Sequence, residues 1–176
     1  MNSDFLTRVK VSIIAACMMF PVQADDHIMA DKTAVQAAFL YNFALFTDWP
    51  SLPDNAFNFC VIADERMLEA LASAKNKQVK DRPIFVKRIQ SAKQALNCQI
   101  LFVGAPEHKS MKELAQQTGM APVLVVSEEN PDDLHDAVIV LNEQQNRISF
   151  KINRTEASKR SLIFSSKLLR LATQVY

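Results

Sequence analysis

Short apolar runs recur along this chain, and segments of helical period separate most of them. "FNFCVIA" from Phe57 alternates and then turns continuously apolar, which reads as a strand. Asp64 then stands where it can cap a helix, "ERMLEALASA", with Met67, Leu68 and Leu71 on one face. "PIFVKRI" reads as a second strand, "QAL" before Cys98 as part of a short helix, and "CQILFVG" as a third strand. That strand breaks at Gly104-Ala105-Pro106 into the helical "EHKSMKELAQQ", and "APVLVVSE" is a fourth. "DAVIVLN" and "RISFKIN", separated by "EQQN", read as a β-hairpin with inward Ile148, Phe150 and Ile152. The closing "EASKRSLIFSSKLLRLATQVY" reads as mostly helical, with Leu162, Leu168, Leu169 and Ala172 facing inward. Strands alternating with helices predict an α/β fold. The expected form is a three-layer sandwich with a mostly parallel sheet, helices on both faces and an antiparallel hairpin near the C-terminus.

Ahead of the first strand lies "FLYNFALFTDWP", which holds five of the fourteen aromatic residues of the sequence and one formal charge, Asp48. Lys32 to Thr47 has helical character, with Val35, Phe39, Phe43 and Phe46 forming a stripe expected to pack on the sheet. The other side carries Ala37, Leu40, Tyr41 and Ala44, so this helix is apolar nearly all round. Such a helix is sandwiched in the interior or covered by another chain. Asp48-Trp49-Pro50 ends it, because the residue before proline avoids the α region. Leu40, Tyr41 and Trp49 lie off the stripe or just past it. They are open to two roles, intramolecular cover or contact with a protein partner.

The first 24 residues read as a targeting signal. Arg8 and Lys10 form a positive start, "VSIIAACMMFPV" an apolar stretch, and Val22-Gln23-Ala24 a small-residue cleavage site. The apolar run is shorter than the roughly 20 residues of a membrane span, and Pro21 interrupts it. The expected product is a periplasmic protein of residues 25–176, one domain, cleaved after Ala24 and without stable membrane insertion. The competing reading takes "IAAC" as a lipobox and Cys17 as a lipid anchor; the apolar "MMFP" that follows Cys17 speaks against it.

Loss of residues 1–24 removes Arg8 and Lys10 against Asp4, leaving 18 basic and 18 acidic side chains. A neutral balance disfavours nucleic acid as a partner. It also leaves Cys60 and Cys98 as the remaining cysteines. In an oxidising compartment an even pair is a disulfide candidate; the alternative is two reduced cysteines packed as small hydrophobes. A metal site is disfavoured, since two sulfurs with no local histidine make a poor ligand set.

Chemistry is scarce. Gly104 and Gly119 are the only glycines, fifteen positions apart, which excludes a glycine-rich phosphate loop and a G-x-S-x-G elbow. The residue three before Lys167 is Phe164, so Ser165-Ser166-Lys167 fails the S-x-x-K spacing. His27, His108 and His135 stand apart in polar neighbourhoods, and Glu128-Glu129 and Asp132-Asp133 read as solvated turns beside Pro131. No catalytic set, metal site or cofactor is expected, and hence no enzyme. One stretch is distinctly charged. From Lys75 to Lys93 there are seven basic residues against Asp81. A solvated connection explains it, and so does a patch facing an acidic partner or an anionic membrane; Arg82, Lys87 and Arg88 are its candidate partner contacts.

In order and spacing the chain resembles the YfiR-like periplasmic regulators. The resemblance begins at "KTAVQAAFLYNFALFTDWP" and runs through "FNFCVIAD", "DRPIFVKRI", "NCQILFVG" and "PVLVVSE". It closes on "NRISFKINRTEASKRSLIFSSKLLRLATQV", covering about Lys32 to Val175. It implies a non-catalytic exported α/β domain that binds the periplasmic sensor domain of an inner-membrane diguanylate cyclase and represses it, so that relief raises cyclic-di-GMP and promotes biofilm. A second copy of the chain is a further candidate partner. Some relatives carry two disulfides; Cys60 and Cys98 match one pair and nothing matches the other, which implies a structural bridge rather than a redox switch. Asp81 and Ser161 stand where the family commonly has glycine. A different class of function, a small-ligand sensor or solute-binding module, also suits an open α/β sheet, whose crevice lies at its strand ends.

Overall fold

The computed structural model describes residues 24–74, 76–105, 111–128, 136–145 and 147–176. The expected signal segment, His108, His135, Asp132-Asp133 and Lys75 therefore lie outside the described residues, and the His27 side chain does too. Helix α1 (Ala24–Leu45) leads through β1 (Thr47–Asp48) into β2 (Phe57–Ile62), α2 (Glu65–Ala72), β3 (Gln78–Val79) and β4 (Arg82–Arg88). A 3-10 helix (Ala92–Asn97) precedes β5 (Ile100–Val103), α3 (Met111–Thr118) and β6 (Leu124–Glu128). The hairpin β7 (Ile139–Gln144) and β8 (Arg147–Ile152) follows, then α4 (Arg154–Lys159), β9 (Ile163–Phe164), α5 (Ser166–Leu171) and β10 (Gln174–Val175).

The main sheet has the order β10-β8-β7-β6-β5-β2-β4-β3, and β1 pairs with β9 in a separate antiparallel ribbon. Pairings from β4 through β2, β5 and β6 to β7 are parallel, and β7 to β8 is the antiparallel hairpin. The chain therefore moves from β2 outward to β4, then crosses back to build β5, β6 and β7 on the other side. The order reverses between β2 and β5.

Every residue of β5 is buried, and so are the first four of β6, as expected of parallel strands covered on both faces. On one face α1 lays Phe43 against Phe150 of β8, ring centroids 4.9 Å apart, with Phe39 at 5.8 Å. On the other face, Cys60 of β2 is bridged to Cys98 at the end of the 3-10 helix, Cα atoms 5.8 Å apart. α3 packs on that 3-10 helix. Arg160, 1% exposed, ties α4 to α3 by donating from Nη1 to Thr118 Oγ1 at 3.0 Å, with Glu156 Oε2 3.6 Å from its Nε.

Two expectations are corrected. Val35, placed at the centre of the stripe, is 38% exposed, whereas Phe43 is buried as expected and Phe39 and Phe46 pack half-buried against the core. Ala37, Leu40 and Ala44, assigned to the other side, turn inward as well, and so does Gln36. Because α1 is apolar on all sides, period alone cannot choose its face; the small Ala37 and Ala44 let the helix approach closely. The closing segment is not one helix but α4, β9, α5 and β10. Ser161, at φ 55°, turns the chain out of α4. Ile163 and Phe164 then pair with Asp48 and Thr47, and Ser165 accepts from Leu168 N–H to cap α5.

Asp81 and Ser161 both sit at positive φ, 64° and 55°. With Lys80 at φ 51°, Asp81 forms the two-residue turn between β3 and β4 that favours Gly. We expect Asp81→Gly and Ser161→Gly each to raise stability, by about 0.5–1 kcal/mol after the entropy of the unfolded chain is counted, in urea unfolding. The bridge closes a loop of sequence separation 38. Its removal in Cys60→Ala/Cys98→Ala should cost roughly 2–4 kcal/mol with the fold kept, as read by denaturant midpoint and far-UV circular dichroism.

Candidate interaction surface and strand-end crevice

Where the C-terminal end of α1 meets the β3–β4 turn, aromatic and basic side chains share one surface. The Tyr41 hydroxyl donates to Gln78 O at 3.4 Å, and Lys77 Nζ lies 4.6 Å from the Tyr41 ring centroid. Trp49 stands edge-on to Phe57 at 5.1 Å, half-buried, with its Nε1 enclosed and without a hydrogen-bond partner among the described residues. Lys80 pairs with Asp48 at 2.6 Å, and Arg82 donates to Pro53 O at 2.6 Å and to Lys80 O at 2.7 Å. Tyr41, Trp49 and Arg82 thus fall in one neighbourhood. Leu40 does not: it is fully buried in the core and has no surface to offer, which removes it from the partner contacts. Lys87 and Arg88 lie farther along β4, roughly 16 and 20 Å from Arg82 at strand rise.

The basic stretch is therefore not a uniform patch. Lys77, Lys80 and Arg82 are engaged locally, and Arg88 pairs with Glu65 at 3.0 Å. Exposed pairs of this kind contribute at most about 1 kcal/mol each, so they orient side chains more than they hold the fold. Among the described residues Lys87 and Lys93 are exposed and carry no ion pair.

A second site lies at the opposite end, beyond the C-terminal ends of the paired strands β2 and β5, at the reversal of strand order. Gly104 is required there, because a Cβ at that position would stand 2.9 Å from Ala63 Cβ. A hollow of about 240 Å³ opens between Ala63, Asp64, Arg66, Met67, Phe102, Gly104 and the N-terminal half of α1. It adjoins one of about 220 Å³ beside Leu141, Asn142, Glu143 and Ile148, and Lys32, Gln36, Ala105 and Glu128 line both. Glu128 is the hub. It accepts from Gln36 Nε2 and from the Ala105 N–H, each at 2.6 Å, and lies 3.5 Å from Lys32 Nζ. Lys32 reaches Glu143 at 2.7 Å. Burial works to lower the Lys32 pKa, but the bonds and charges of Glu143 and Glu128 outweigh it and hold the ammonium above its ordinary value.

The sequence reading placed Glu128 in a solvated turn; it is instead the last residue of β6, with its side chain 19% exposed. Its position directly after a buried, mainly apolar run, together with Lys32 and Gln36 one helical turn apart, is the signal that could have found this cluster. Chemically the crevice can hold a small polar molecule at its walls and an apolar group on Met67 and Phe102. Among the described residues no three His, Cys, Asp or Glu side chains gather as metal ligands. No described helix is long and apolar enough to cross a membrane.

A sheet whose order reverses between β2 and β5, with a crevice at the strand ends of that reversal, defines a doubly wound α/β domain. More specifically, the chain belongs to the YfiR/HmsC-like family, whose sequence profile matches residues 33–173. Among solved structures it is similar to a conserved domain protein from Vibrio cholerae O1 biovar El Tor, with a TM-score of 0.56 and 11% identity. That match covers 81% of this chain and 60% of the Vibrio chain, so the present chain spans less than two thirds of that protein. An ABC domain in complex with L-Trp from Streptococcus pneumonia is more distant, at TM-score 0.47 and 7% identity over 69% of this chain and 55% of the other. No curated protein matches.

The Lys32 cluster has a signature in alkali. Because its folded pKa is raised, its stabilisation is complete below the ordinary lysine value of about 10.5 and is lost as pH rises through the higher folded value. Burial also raises Tyr176, which acts in the same direction. Lys32→Met should therefore show a shallower alkaline loss of stability than the parent, with the Tyr176 part common to both, in unfolding curves measured from pH 8 to 12.

Proposed function

We propose that this protein is a non-catalytic periplasmic regulator that binds the periplasmic sensor domain of an inner-membrane diguanylate cyclase and lowers cyclic-di-GMP production. The observation that carries this reading is membership of the YfiR/HmsC-like family over residues 33–173. The Cys60–Cys98 bridge supports it, since such a cross-link suits an oxidising compartment. So does the surface around Tyr41, Trp49 and Arg82, where aromatic side chains and fixed cations stand together as they do at protein interfaces. Regulation needs no chemistry in this chain. A protein that binds the inactive cyclase more tightly than the active one, by a few kcal/mol, shifts its population.

The test is affinity capture of the exported protein on detergent-solubilised membranes of its own cell, with captured proteins identified by mass spectrometry. A membrane protein carrying a periplasmic sensor and a cytoplasmic cyclase domain is the expected catch, with higher cyclic-di-GMP in cells lacking this protein. Tyr41→Ala, which truncates a half-buried ring but leaves the core intact, should weaken capture more than it lowers the unfolding midpoint. Lower cyclic-di-GMP in the deletion strain would reverse the sign of regulation, and no cyclase in the catch would remove this reading.

A second reading is favoured by one observation, the crevice at the reversal of strand order. In that reading the protein senses a small periplasmic molecule, and a metabolite released from the native protein on denaturation would identify it.

A further inference from the structure

β4 is paired over most of its length along one edge only. With β2 it is in parallel register from Ile84 to Arg88, whereas β3 covers only Arg82 and Pro83 on the outer side. From Ile84 onward no strand among the described residues takes that outer edge. The direction of the backbone groups follows from one bond: Ile89 N–H donates to Val61 O. Alternation then turns the peptide groups of Phe85 and Lys87 toward β2 and those of Val86 and Arg88 outward. Two N–H and two C=O groups are offered in strand geometry at the surface.

The side chains beside this edge have a definite character. Phe85 and Lys87 share the face of Asn58 and Cys60, their partners in register. Phe85 is 50% exposed. Asn58 donates to Asn97 O at 3.0 Å, which brings the neighbouring Leu96, also 50% exposed, to the same corner. Lys87 is exposed and carries no ion pair among the described residues. An apolar corner followed by an unpaired cation is left beside open backbone.

We propose that the outer edge of β4, from Ile84 to Arg88, is a docking site for an extended acidic segment of another protein, which adds to the sheet as a strand. Main-chain bonds to Val86 and Arg88 supply the pairing, a carboxylate meets Lys87, and an apolar side chain lies over Phe85 and Leu96. A second copy of this chain is the poorer occupant. Antiparallel pairing of β4 with itself through the open groups of Val86 and Arg88 centres on Lys87 and sets it opposite its own copy, and like charges directly across a strand pair destabilise it. The basic edge thus guards against self-association while admitting an acidic strand.

The inference rests on the reading of this chain as a binding protein and can fail separately from it. The probe is a capped threonine-rich peptide with one valine and one glutamate two positions apart, so that both fall on one face of the added strand, supplied to the intact exported protein labelled for amide NMR. Binding should move the Val86 and Arg88 amides and slow their exchange with solvent. Lys87→Glu, at an exposed position, should bind about tenfold more weakly and regain affinity for the same peptide with lysine in place of glutamate. Shifts confined to other residues, equal binding of a backbone N-methylated peptide, or a dimer whose interface maps to β4 would each overturn the proposal. Capture of a cyclase unaltered by Lys87→Glu overturns the edge alone; peptide binding with no cyclase captured overturns the function proposed above and leaves the edge standing.

Discussion

Strands β5 and β6 have almost no residue that tolerates water, and the rest of the architecture answers to the need to cover them twice. Phe102, Ile100, Leu124 and Val126 turn toward α1, while Leu101, Val103 and Val125 turn the other way, and all are essentially fully buried. At about 25 cal/mol for each Å² of apolar surface removed from water, this double burial is the main favourable term in the fold. It calls for two layers. On one side stands α1, apolar around its whole girth, with α2; on the other stand the 3-10 helix and α3, stitched to β2 by the Cys60–Cys98 bridge. A sheet so enclosed has few places to meet other molecules: its strand ends, its edges and the far ends of its helices.

Polar groups mark those places in different ways. At the strand ends Glu128 is surrounded by donors from α1 and from the backbone after β5, so its charge is satisfied within the molecule. It ties Lys32 and Gln36 of α1 to the ends of β5 and β6, and it lines both hollows of the crevice. At the other end the cations near Tyr41 and Trp49 are also held, by Asp48 and by the carbonyls of Pro53 and Lys80, and are presented in fixed geometry. On the outer edge of β4 a cation without an ion pair among the described residues, exposed apolar side chains and open peptide groups coincide. Engaged charges keep shape; an unengaged one is where a partner gains most.

Backbone strain is distributed with similar economy. Asp81 and Ser161 occupy left-handed conformations without being glycine. Each serves a short pairing: Asp81 returns the chain from β3 to β4, and Ser161 returns it from α4 so that Ile163 and Phe164 can meet β1. These two-residue pairings are too short to be stable alone. They persist because the core behind them fixes both partners.

Much of this was legible in the sequence. The principal strands, the Asp64-capped helix, the hairpin and the C-terminal end of α3 follow from local period and capping chemistry, and the resemblance of residue strings identified the family. The short pairings β1–β9 and β10–β8 were not legible, because two residues carry no period. Nor was the buried face of α1, since a helix apolar on all sides has no direction of greatest burial, and Leu40 went inward where Val35 was expected. Glu128 escaped because its partner Gln36 lies 92 residues away and neither residue is unusual in its own neighbourhood. The sequence by itself determined the order of the principal strands and helices up to the hairpin, the α/β class and the pairing chemistry open to Cys60 and Cys98, all of which rest on local period or residue type. Only the tertiary structure decided which side of α1 is buried, which carboxylate is enclosed and which strand edge stays open, because each depends on what lies across space and not along the chain.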